Sequence, residues 1–251
     1  MAVGIEVFKI YFSDYKDQYI VIGGMACDLL LNEAGIDFRA TKDIDMVLIV
    51  EALTPNFATV FWQFINDGGY QARQRSSGKP EFFRFINPLV PEYPFMIELF
   101  ARQWNPYSGH LAPLHIDDDI SSLSAILLNE GYYNFLLNGK TTSGGISVLD
   151  AAHLIPMKMK AWLDLHDRKL RGIHVNDRDL RKHRQDVFRL FPLVSEDSEI
   201  ITPVEVYADI QQFIEALETL PFEPKDIGLT VGKNEVLNIY RRIYRLGAEL
   251  P

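Results

Sequence analysis

Residues 19–50 read YIVIGGMACDLLLNEAGIDFRATKDIDMVLIV, and this stretch decides the fold. An apolar run stops at Gly23 and Gly24 and is followed by a second apolar run, which predicts a strand, a tight turn and a helix. In the strand that follows, alternation sends Asp43 and Asp45 to the same face. A glycine turn at a helix start offers backbone N–H groups to a phosphate, and paired carboxylates suit a hard divalent cation. The stretch therefore predicts a site for a nucleotide and a metal.

Composition places the chain among globular proteins of one large or two small domains. It has 251 residues, of which 47% are hydrophobic, and a formal net charge of −9. That charge argues against non-specific binding of nucleic acid or an anionic membrane by the whole molecule. The single cysteine, Cys27, cannot form an internal disulfide and is expected to pack inside a helix. No apolar run reaches the roughly 18 to 20 residues that span a bilayer, and no secretory signal pattern begins the chain, so we expect a cytoplasmic protein without a membrane partner.

The first hundred residues predict an α/β (α+β) fold, a mixed twisted sheet of about five strands with helices. A helix is expected from Pro55 to Gly68, with an apolar stripe at i, i+3, i+4 spacing that predicts core packing. Strands are expected near residues 70–75, 81–86 and 95–100. A looser passage with proline and glycine at residues 104–113 suggests a boundary. We therefore expect an α/β domain at 1–113, which contains the predicted nucleotide and metal site, and a mostly helical domain at 114–251.

Three local patterns follow that boundary. The triple acid at 117–119 resembles a metal cluster, but its position predicts the N-terminal cap of a helix at 120–128. The pair Asn138-Gly139 predicts a hairpin between strands at 132–137 and 146–149. Gly139-Lys140-Thr141 resembles the end of a phosphate-binding loop of the Walker type, but the glycine required at position 134 is Asn134. From residue 151 onward the pattern is helical. Helices are expected near 201–220, with Thr202 as the N-terminal cap, and near 234–246.

A third acidic residue, Glu98, lies inside an otherwise apolar strand. A carboxylate in such a position is costly unless it is paired or bound to a metal. Glu98 could therefore complete a cluster with Asp43 and Asp45. The alternative is that it pairs with a nearby arginine, such as Arg84 or Arg102.

Longer patterns resemble a known superfamily. The sequence G-G-x-A at residues 23–26, followed by R-x-T-x-D-x-D at 39–45, resembles the signature of the DNA polymerase beta type nucleotidyltransferases. Two later segments, VLDAAHLIPMKMKA at 148–161 and KHRQDVFRL at 182–190, resemble the nucleotidyltransferase-like toxins of the AbiEii type. In that family one helix carries K-x-x-A and a later helix carries K-[HD]-x-x-D. The resemblance covers about residues 19 to 190.

The resemblance implies a nucleotidyltransferase fold and a Mg²⁺-dependent transfer of NMP from an NTP to an acceptor hydroxyl, with Mn²⁺ as an alternative ion. The metal ligands it implies are Asp43, Asp45 and Glu98, and the alternative role of Glu98 is that of the base. The nucleotide-binding residues it implies are Gly23, Gly24, Thr41 and Lys158. It also places Lys158 and Asp186 in the active site, in a cleft that the helical domain completes. The alternative for these last two residues is a structural salt bridge.

The same resemblance suggests the toxin of a toxin–antitoxin or phage-defence pair, with a cognate antitoxin protein as partner and tRNA as one candidate acceptor. Related members of the superfamily modify small hydroxylated antibiotics, which gives a second candidate acceptor. A non-catalytic nucleotide-binding or interaction module on the same fold is a third alternative.

Charge is distributed unevenly along the chain. Residues 158–189 contain ten Lys and Arg and five Asp, a net charge of +5, which leaves −14 on the rest of the chain. A solvated basic helix face is the simplest explanation. A docking surface for RNA is the alternative, because phosphate contacts dominate such binding, whereas the acidic total favours a small acceptor.

Overall fold

The fold is taken from a computed structural model, which describes residues 4–74, 80–102, 111–114 and 123–247. Within these residues the strands are β1 (Tyr19–Ile22), β2 (Asp43–Leu48), β3 (Gln71–Gln74), β4 (Pro80–Ile86), β5 (Met96–Arg102), β6 (Leu111–Leu114), β7 (Leu123–Leu128), β8 (Lys140–Ser143), β9 (Ile146–Leu149), β10 (Ile200–Thr202) and β11 (Tyr244–Leu246). The α-helices are α1 (Ile5–Phe12), α2 (Gly23–Glu33), α3 (Pro55–Asp67), α4 (Glu130–Asn138), α5 (Ala151–Leu170), α6 (Asp177–Arg189), α7 (Val204–Thr219) and α8 (Lys233–Ile243). No helix in the described ranges is both long and apolar enough to cross a bilayer.

The chain forms two compact units. The first comprises Met1–Tyr133 with Lys140–Asp150, and the second comprises Asn134–Gly139 with Ala151–Pro251. The first unit holds a mixed sheet and the second consists mainly of helices, so the predicted α/β class with a helical C-terminal region is confirmed. The division into domains at residue 113 stays a prediction, and the contacts of the structure divide the chain later, at residues 133 and 150.

The sheet of the first unit has the central order β3-β4-β5-β2-β1-β9-β8. Strand β2 runs antiparallel to β1 and parallel to β5, and β5 also pairs with β7 farther along its length. Strands with two neighbours and apolar sequence form the interior of a sheet. Strands β1 and β2 of the stretch quoted from the sequence therefore lie at the centre of this sheet, and helix α2 connects them.

An aromatic cluster fills the core beside helices α1 and α3. The ring of Phe64 lies 5.2 Å from that of Phe12 and 5.0 Å from that of Tyr93, measured between centroids. It also contacts Phe8, at 6.1 Å. The apolar stripe predicted for the helix that begins at Pro55 is thus confirmed as core packing.

Two predicted elements are wrong in type. Residues 123–128 form strand β7, not the end of a helix, because they pair with both β5 and β6. A short apolar run of this kind has no period that separates a buried strand from a helix, so the pairing decides. The proposed cap at 117–119 lies outside the described residues.

The second wrong element is the strand expected at 132–137, which is helix α4. Its start is capped by Asn129, whose side chain accepts a hydrogen bond of 2.8 Å from the backbone N–H of Tyr132. The hairpin exists, but it joins β8 to β9 and turns at Gly144 and Gly145, which both have positive φ. A two-residue turn with two positive φ angles favours glycine at both positions.

The helical prediction for the C-terminal part holds except for one short parallel pair, β10 with β11. Thr202, expected as a helix cap, belongs to β10, and its hydroxyl donates instead to the carbonyl of Arg245, at 2.9 Å. Helix α7 then begins at Val204. The missed strands are three residues each, too short to show alternation in the sequence.

We predict that Phe64→Ala destabilises the first unit by about 3–5 kcal/mol, because it removes a fully buried ring and leaves a cavity. Urea unfolding followed by circular dichroism measures the change. Gln63→Ala is the matched control in the same helix, because Gln63 is exposed, and it should change stability by less than about 0.5 kcal/mol. Equal effects of the two substitutions would contradict this account of the core.

Candidate active site

The turn between β1 and α2 approaches the second acid of the Asp pair closely. Gly23 has a φ of 71°, and a Cβ added there would overlap the Asp45 carboxylate, with the Cγ of Asp45 only 2.9 Å away. Register explains this proximity, because Ile22 is paired with Asp45 across the antiparallel strands. Only glycine combines this backbone conformation with so little space. The sequence predicted both the turn and the acid, and the structure brings them together.

No side chain caps the start of α2, where Ile22 occupies the N-cap position. The first turn of a helix carries backbone N–H groups without partners inside the helix, and its dipole favours an anion. Cys27, one turn into α2, is buried, and its thiol donates to the carbonyl of Gly23 at 3.1 Å. The predicted packing role of this cysteine is therefore confirmed, and it lies directly behind the turn.

The second glycine borders a hydroxyl and a cation. A Cβ at Gly24 would lie 3.0 Å from the Oγ1 of Thr41 and 3.6 Å from a terminal guanidinium nitrogen of Arg39. The Arg39 guanidinium lies over the ring of Phe38, 4.4 Å from its centroid. Thr41 was predicted as a nucleotide-binding residue, whereas Arg39 received no role. Its place in the R-x-T-x-D-x-D pattern was the signal that could have indicated one.

The three predicted acids share one face of the sheet. Asp43 and Asp45 are two residues apart in β2, and Asp45 lies directly opposite Glu98 in the parallel strand β5. Directly paired residues on adjacent strands point to the same side, about 5 Å apart at Cα. Asp43 and Asp45 are partly exposed, whereas Glu98 is 8% exposed.

Glu98 is bound by Arg84, one of the two arginines that the sequence suggested. The Nε of Arg84 donates to Oε1 of Glu98 at 2.6 Å, and a terminal guanidinium nitrogen contacts the same oxygen. Arg102, the other candidate, pairs instead with Glu51 at 3.0 Å. Register again decides, because Arg84 in β4 lies directly opposite Glu98.

The donor set of this face fits a hard cation. Carboxylate oxygens are the ligands that Mg²⁺ prefers in proteins, and Asp43 and Asp45 supply them at a partly exposed position beside a helix N-terminus. Within the described ranges no group of three His, Cys, Asp or Glu side chains converges on one metal position. The assignment of Asp43, Asp45 and Glu98 as metal ligands thus stays a prediction.

In the second unit, Lys158 and Asp186 form a buried ion pair between α5 and α6. The Nζ of Lys158 lies 3.2 Å from Oδ2 of Asp186, and the two side chains are 4% and 0% exposed. The hydroxyl of Tyr240 donates to the carbonyl of Val187, the next residue, at 2.7 Å, and burial raises the pKa of this phenol well above its usual value. The salt bridge that the sequence left as an alternative is thus present.

Lys160, two residues along α5, has different surroundings. It is 39% exposed and pairs with Asp164 at 3.1 Å and Asp209 at 3.4 Å. Burial lowers its pKa, but the hydrogen bond and charge of Asp164, together with those of Asp209, outweigh burial and leave the pKa raised. The two lysines of the segment 158–161 therefore differ, and only Lys158 is buried with Asp186.

Comparison with known proteins gives low similarity. No protein-family model matches the chain, and no curated protein sequence matches it. Three solved structures are similar to it over most of its length. An antigenic nucleotidyltransferase-like protein from Paracoccidioides brasiliensis has 13% identity and a TM-score of 0.44, covering 94% of each chain. The antibiotic-resistance factor ANT(2'')-Ia has 12% identity and a TM-score of 0.38, covering 84% of this chain and 92% of its own.

The third is the Megavirus polyadenylate synthase, with 12% identity and a TM-score of 0.40, covering 86% of this chain and 36% of its own. The function proposed below rests on the residues of this chain rather than on these similarities. The resemblance to AbiEii-type toxins stays a prediction.

We predict that Gly23→Ala costs more stability than Gly35→Ala. Both glycines have a φ near 70°, at 71° and 73°, so each alanine suffers a backbone cost of about 1–2 kcal/mol. Only the Cβ at position 23 also overlaps Asp45, whereas nothing lies within 4 Å of the Cβ position at Gly35. Urea unfolding of the two variants measures the difference. Equal losses would contradict the close approach of the turn to Asp45.

We also predict that Lys158→Met destabilises the second unit by about 3–5 kcal/mol, because it leaves the buried Asp186 without the charge of its lysine. Lys160→Met is the matched control, and its exposed pairs should be worth less than about 1 kcal/mol. The double variant Lys158→Met/Asp186→Leu should recover most of the loss. Chemical denaturation measures all three, and a loss for Lys158→Met no greater than for Lys160→Met would disprove the buried pair.

Proposed function

We propose that this protein is a divalent-cation-dependent nucleotidyltransferase that moves an NMP group from an NTP to an acceptor hydroxyl. In this reaction the acceptor oxygen forms a bond to the α-phosphorus, and the bond from that phosphorus to the bridging oxygen of the β-phosphate breaks. Pyrophosphate leaves, and the proton of the acceptor passes to a carboxylate of the acidic face. Such a transfer needs positioned carboxylates, hydrogen-bond donors that bind the phosphates, and a cation near the leaving group.

One observation carries this proposal, the contact distance between the Gly23 turn and the Asp45 carboxylate. A phosphate held by a helix N-terminus and a cation held by an Asp pair must be neighbours if the same triphosphate is to touch both. A turn without Cβ atoms, placed against a carboxylate, satisfies that requirement within the first unit. If the glycine turn or the Asp pair lay elsewhere in the sheet, one triphosphate could not contact both.

The residues of the first unit divide the work as follows. Asp43 and Asp45 would hold Mg²⁺, or Mn²⁺ in its place, which when bound would offset negative charge on the reacting phosphates. The backbone at Gly23 and Gly24 and the hydroxyl of Thr41 would bind the phosphate tail. These donors are fixed by the fold before the substrate arrives, which is the condition for strong electrostatic stabilisation.

The resemblance places Lys158 and Asp186 in the active site as well, where the lysine would stabilise the triphosphate and the acid would orient either the lysine or the acceptor. We retain this as part of the proposal. The Nζ of Lys158 lies 3.2 Å from Oδ2 of Asp186, a contact through which the acid would hold the lysine in place.

For the acceptor we propose RNA, with tRNA as the candidate that the resemblance suggests. The support is the basic segment 158–189 with its net charge of +5. Part of that charge is used internally, because Lys169 pairs with Asp177 and Arg171 with Asp167. Arg168, Arg178 and Arg181 are exposed and available to phosphates.

The resemblance also suggests a biological setting, the toxin of a toxin–antitoxin or phage-defence pair, neutralised by an antitoxin protein. Induced expression should then slow growth of the host, and Asp45→Asn should relieve this effect. Growth curves of the two strains at matched protein levels test this part of the proposal separately from the chemistry.

We predict that Asp45→Asn abolishes label transfer from an α-labelled NTP to total RNA, with a loss of at least about 100-fold, because a metal ligand is removed. Chelation of divalent ions should have the same effect, reversed by added Mg²⁺. Asp37→Asn is the matched control, since Asp37 is an exposed acid between the turn and the Asp pair, and its transfer rate should be unchanged.

Label transfer at the wild-type rate by the Asp45→Asn variant would contradict the proposed mechanism. Tight binding of NTP in calorimetry without transfer to any acceptor would instead identify a non-catalytic nucleotide-binding module. The control variant separates a loss of chemistry from a general effect of removing one negative charge.

We further predict that acceptor binding weakens steeply with salt, because each phosphate contact releases counterions. Fluorescence anisotropy of labelled tRNA between 50 and 200 mM salt would measure it, with a loss of roughly tenfold or more. Arg178→Gln/Arg181→Gln should flatten the slope by about one contact per arginine. A flat salt dependence would favour a small hydroxylated acceptor such as an antibiotic.

A further inference from the structure

Three neighbouring strands bring a positive charge into the acidic face. Arg84 in β4 lies opposite Glu98 in β5, and Glu98 lies opposite Asp45 in β2. The three side chains are thus on the same side of the sheet, in one row perpendicular to the strands. Asp43 completes the face two residues before Asp45. Three carboxylates and one guanidinium together carry a formal charge of −2.

The contact between Arg84 and Glu98 is specific and largely buried. Two nitrogens of one guanidinium reach Oε1 of Glu98, and the side chains are 26% and 11% exposed. A guanidinium carries a delocalised positive charge on a planar set of hydrogen-bond donors. A cation that used Glu98 as a ligand would have to bind the other oxygen, Oε2, close to this guanidinium, and the two positive charges would repel each other.

We propose that Arg84 takes Glu98 out of the metal-binding set, so that Asp43 and Asp45 hold one divalent cation and the Arg84 guanidinium serves as a fixed second positive charge. Glu98 is then a positioning residue: it lies between Arg84 and Asp45 in the row and holds the guanidinium of Arg84 in place. This inference rests on the proposed function and specifies how its site is charged. A single divalent cation neutralises the −2 of this face, whereas a second one would meet no remaining negative charge.

The consequence for the reaction concerns where positive charge is supplied. A second metal must be bound anew for each turnover, while a guanidinium in the sheet is already in place. Its planar donors match the oxygens of a phosphate, which suits it to the leaving pyrophosphate once a substrate lies on this face. The chain thereby gains a phosphate-binding cation from the first unit itself.

The test is a titration of the full chain with Mn²⁺ alone, followed by electron paramagnetic resonance to count bound ions. The wild type should bind one Mn²⁺ per chain. Glu98→Gln should still bind one, with an affinity lowered by no more than roughly tenfold through the lost charge, since Glu98 is not a ligand. Asp45→Asn should lose affinity by roughly 100-fold, the effect expected on removing a carboxylate ligand.

Arg84→Met should have the opposite effect, because it frees the Glu98 carboxylate and makes the face more negative. We expect a second Mn²⁺ or an affinity raised by roughly tenfold. Since this variant leaves a buried carboxylate without its arginine, the double variant Arg84→Met/Glu98→Gln is made with it, and it should return to one ion. Arg102→Met is the matched control, because it removes from β5 a guanidinium that pairs with Glu51 rather than with Glu98, and it should not change the count.

Two bound ions in the wild type, or loss of binding in Glu98→Gln, overturns the inference, and if label transfer persists the proposed function stands. One bound ion in the wild type and in Glu98→Gln, with the increase in Arg84→Met, supports it. One ion bound without label transfer would support the metal set while overturning the proposed function. Absence of both Mn²⁺ binding and label transfer overturns both.

Discussion

The proximity of the Gly23 backbone to the Asp45 carboxylate is the constraint on which the rest of the first unit depends. It fixes the register of β1 against β2, because Ile22 must lie opposite Asp45 for the turn to meet the acid. A shift of one residue would send the acids to the other face, into the aromatic core beside α1 and α3. The same register therefore buries the apolar side chains of β2 and places its acids on the other face. Glycine at position 23 permits this register, because it leaves room for the Asp45 carboxylate.

The features that were predicted correctly from the sequence depend only on residues close to one another in the chain. The glycine turn, the alternation of Asp43 and Asp45 and the stripe of α3 are each contained within a few residues, and each is found as expected. Strand β7 could not be predicted in the same way, because its type depends on pairing with β5, more than twenty residues earlier. The helix α4 was readable in principle from the cap at Asn129, but two tyrosines with high strand propensity outweighed it.

The partner of Glu98 shows the same limit at the candidate site. The sequence reduced the possible partners of Glu98 to Arg84 and Arg102. Arg102 is only four residues away in the chain, whereas Arg84 lies opposite Glu98 in the structure. Only the antiparallel register of β4 against β5 separates them, and register is set by long-range packing rather than by neighbouring residues. The Lys158–Asp186 pair is a similar case, since two helices had to be placed side by side before either charge could be satisfied.

The pairing of β10 with β11 bears on how the second unit is made during synthesis. Strand β11 is the last described strand, and the hydroxyl of its Tyr244 donates to the carbonyl of Ala152 at the start of α5, at 2.7 Å. A growing chain cannot complete this unit until residue 244 has left the ribosome, some ninety residues after α5 begins, which takes about 5–20 s at ordinary elongation rates. Until then β10 lacks its partner strand β11 and α5 lacks its contact with Tyr244, although α5 and α6 are already long enough to pair Lys158 with Asp186.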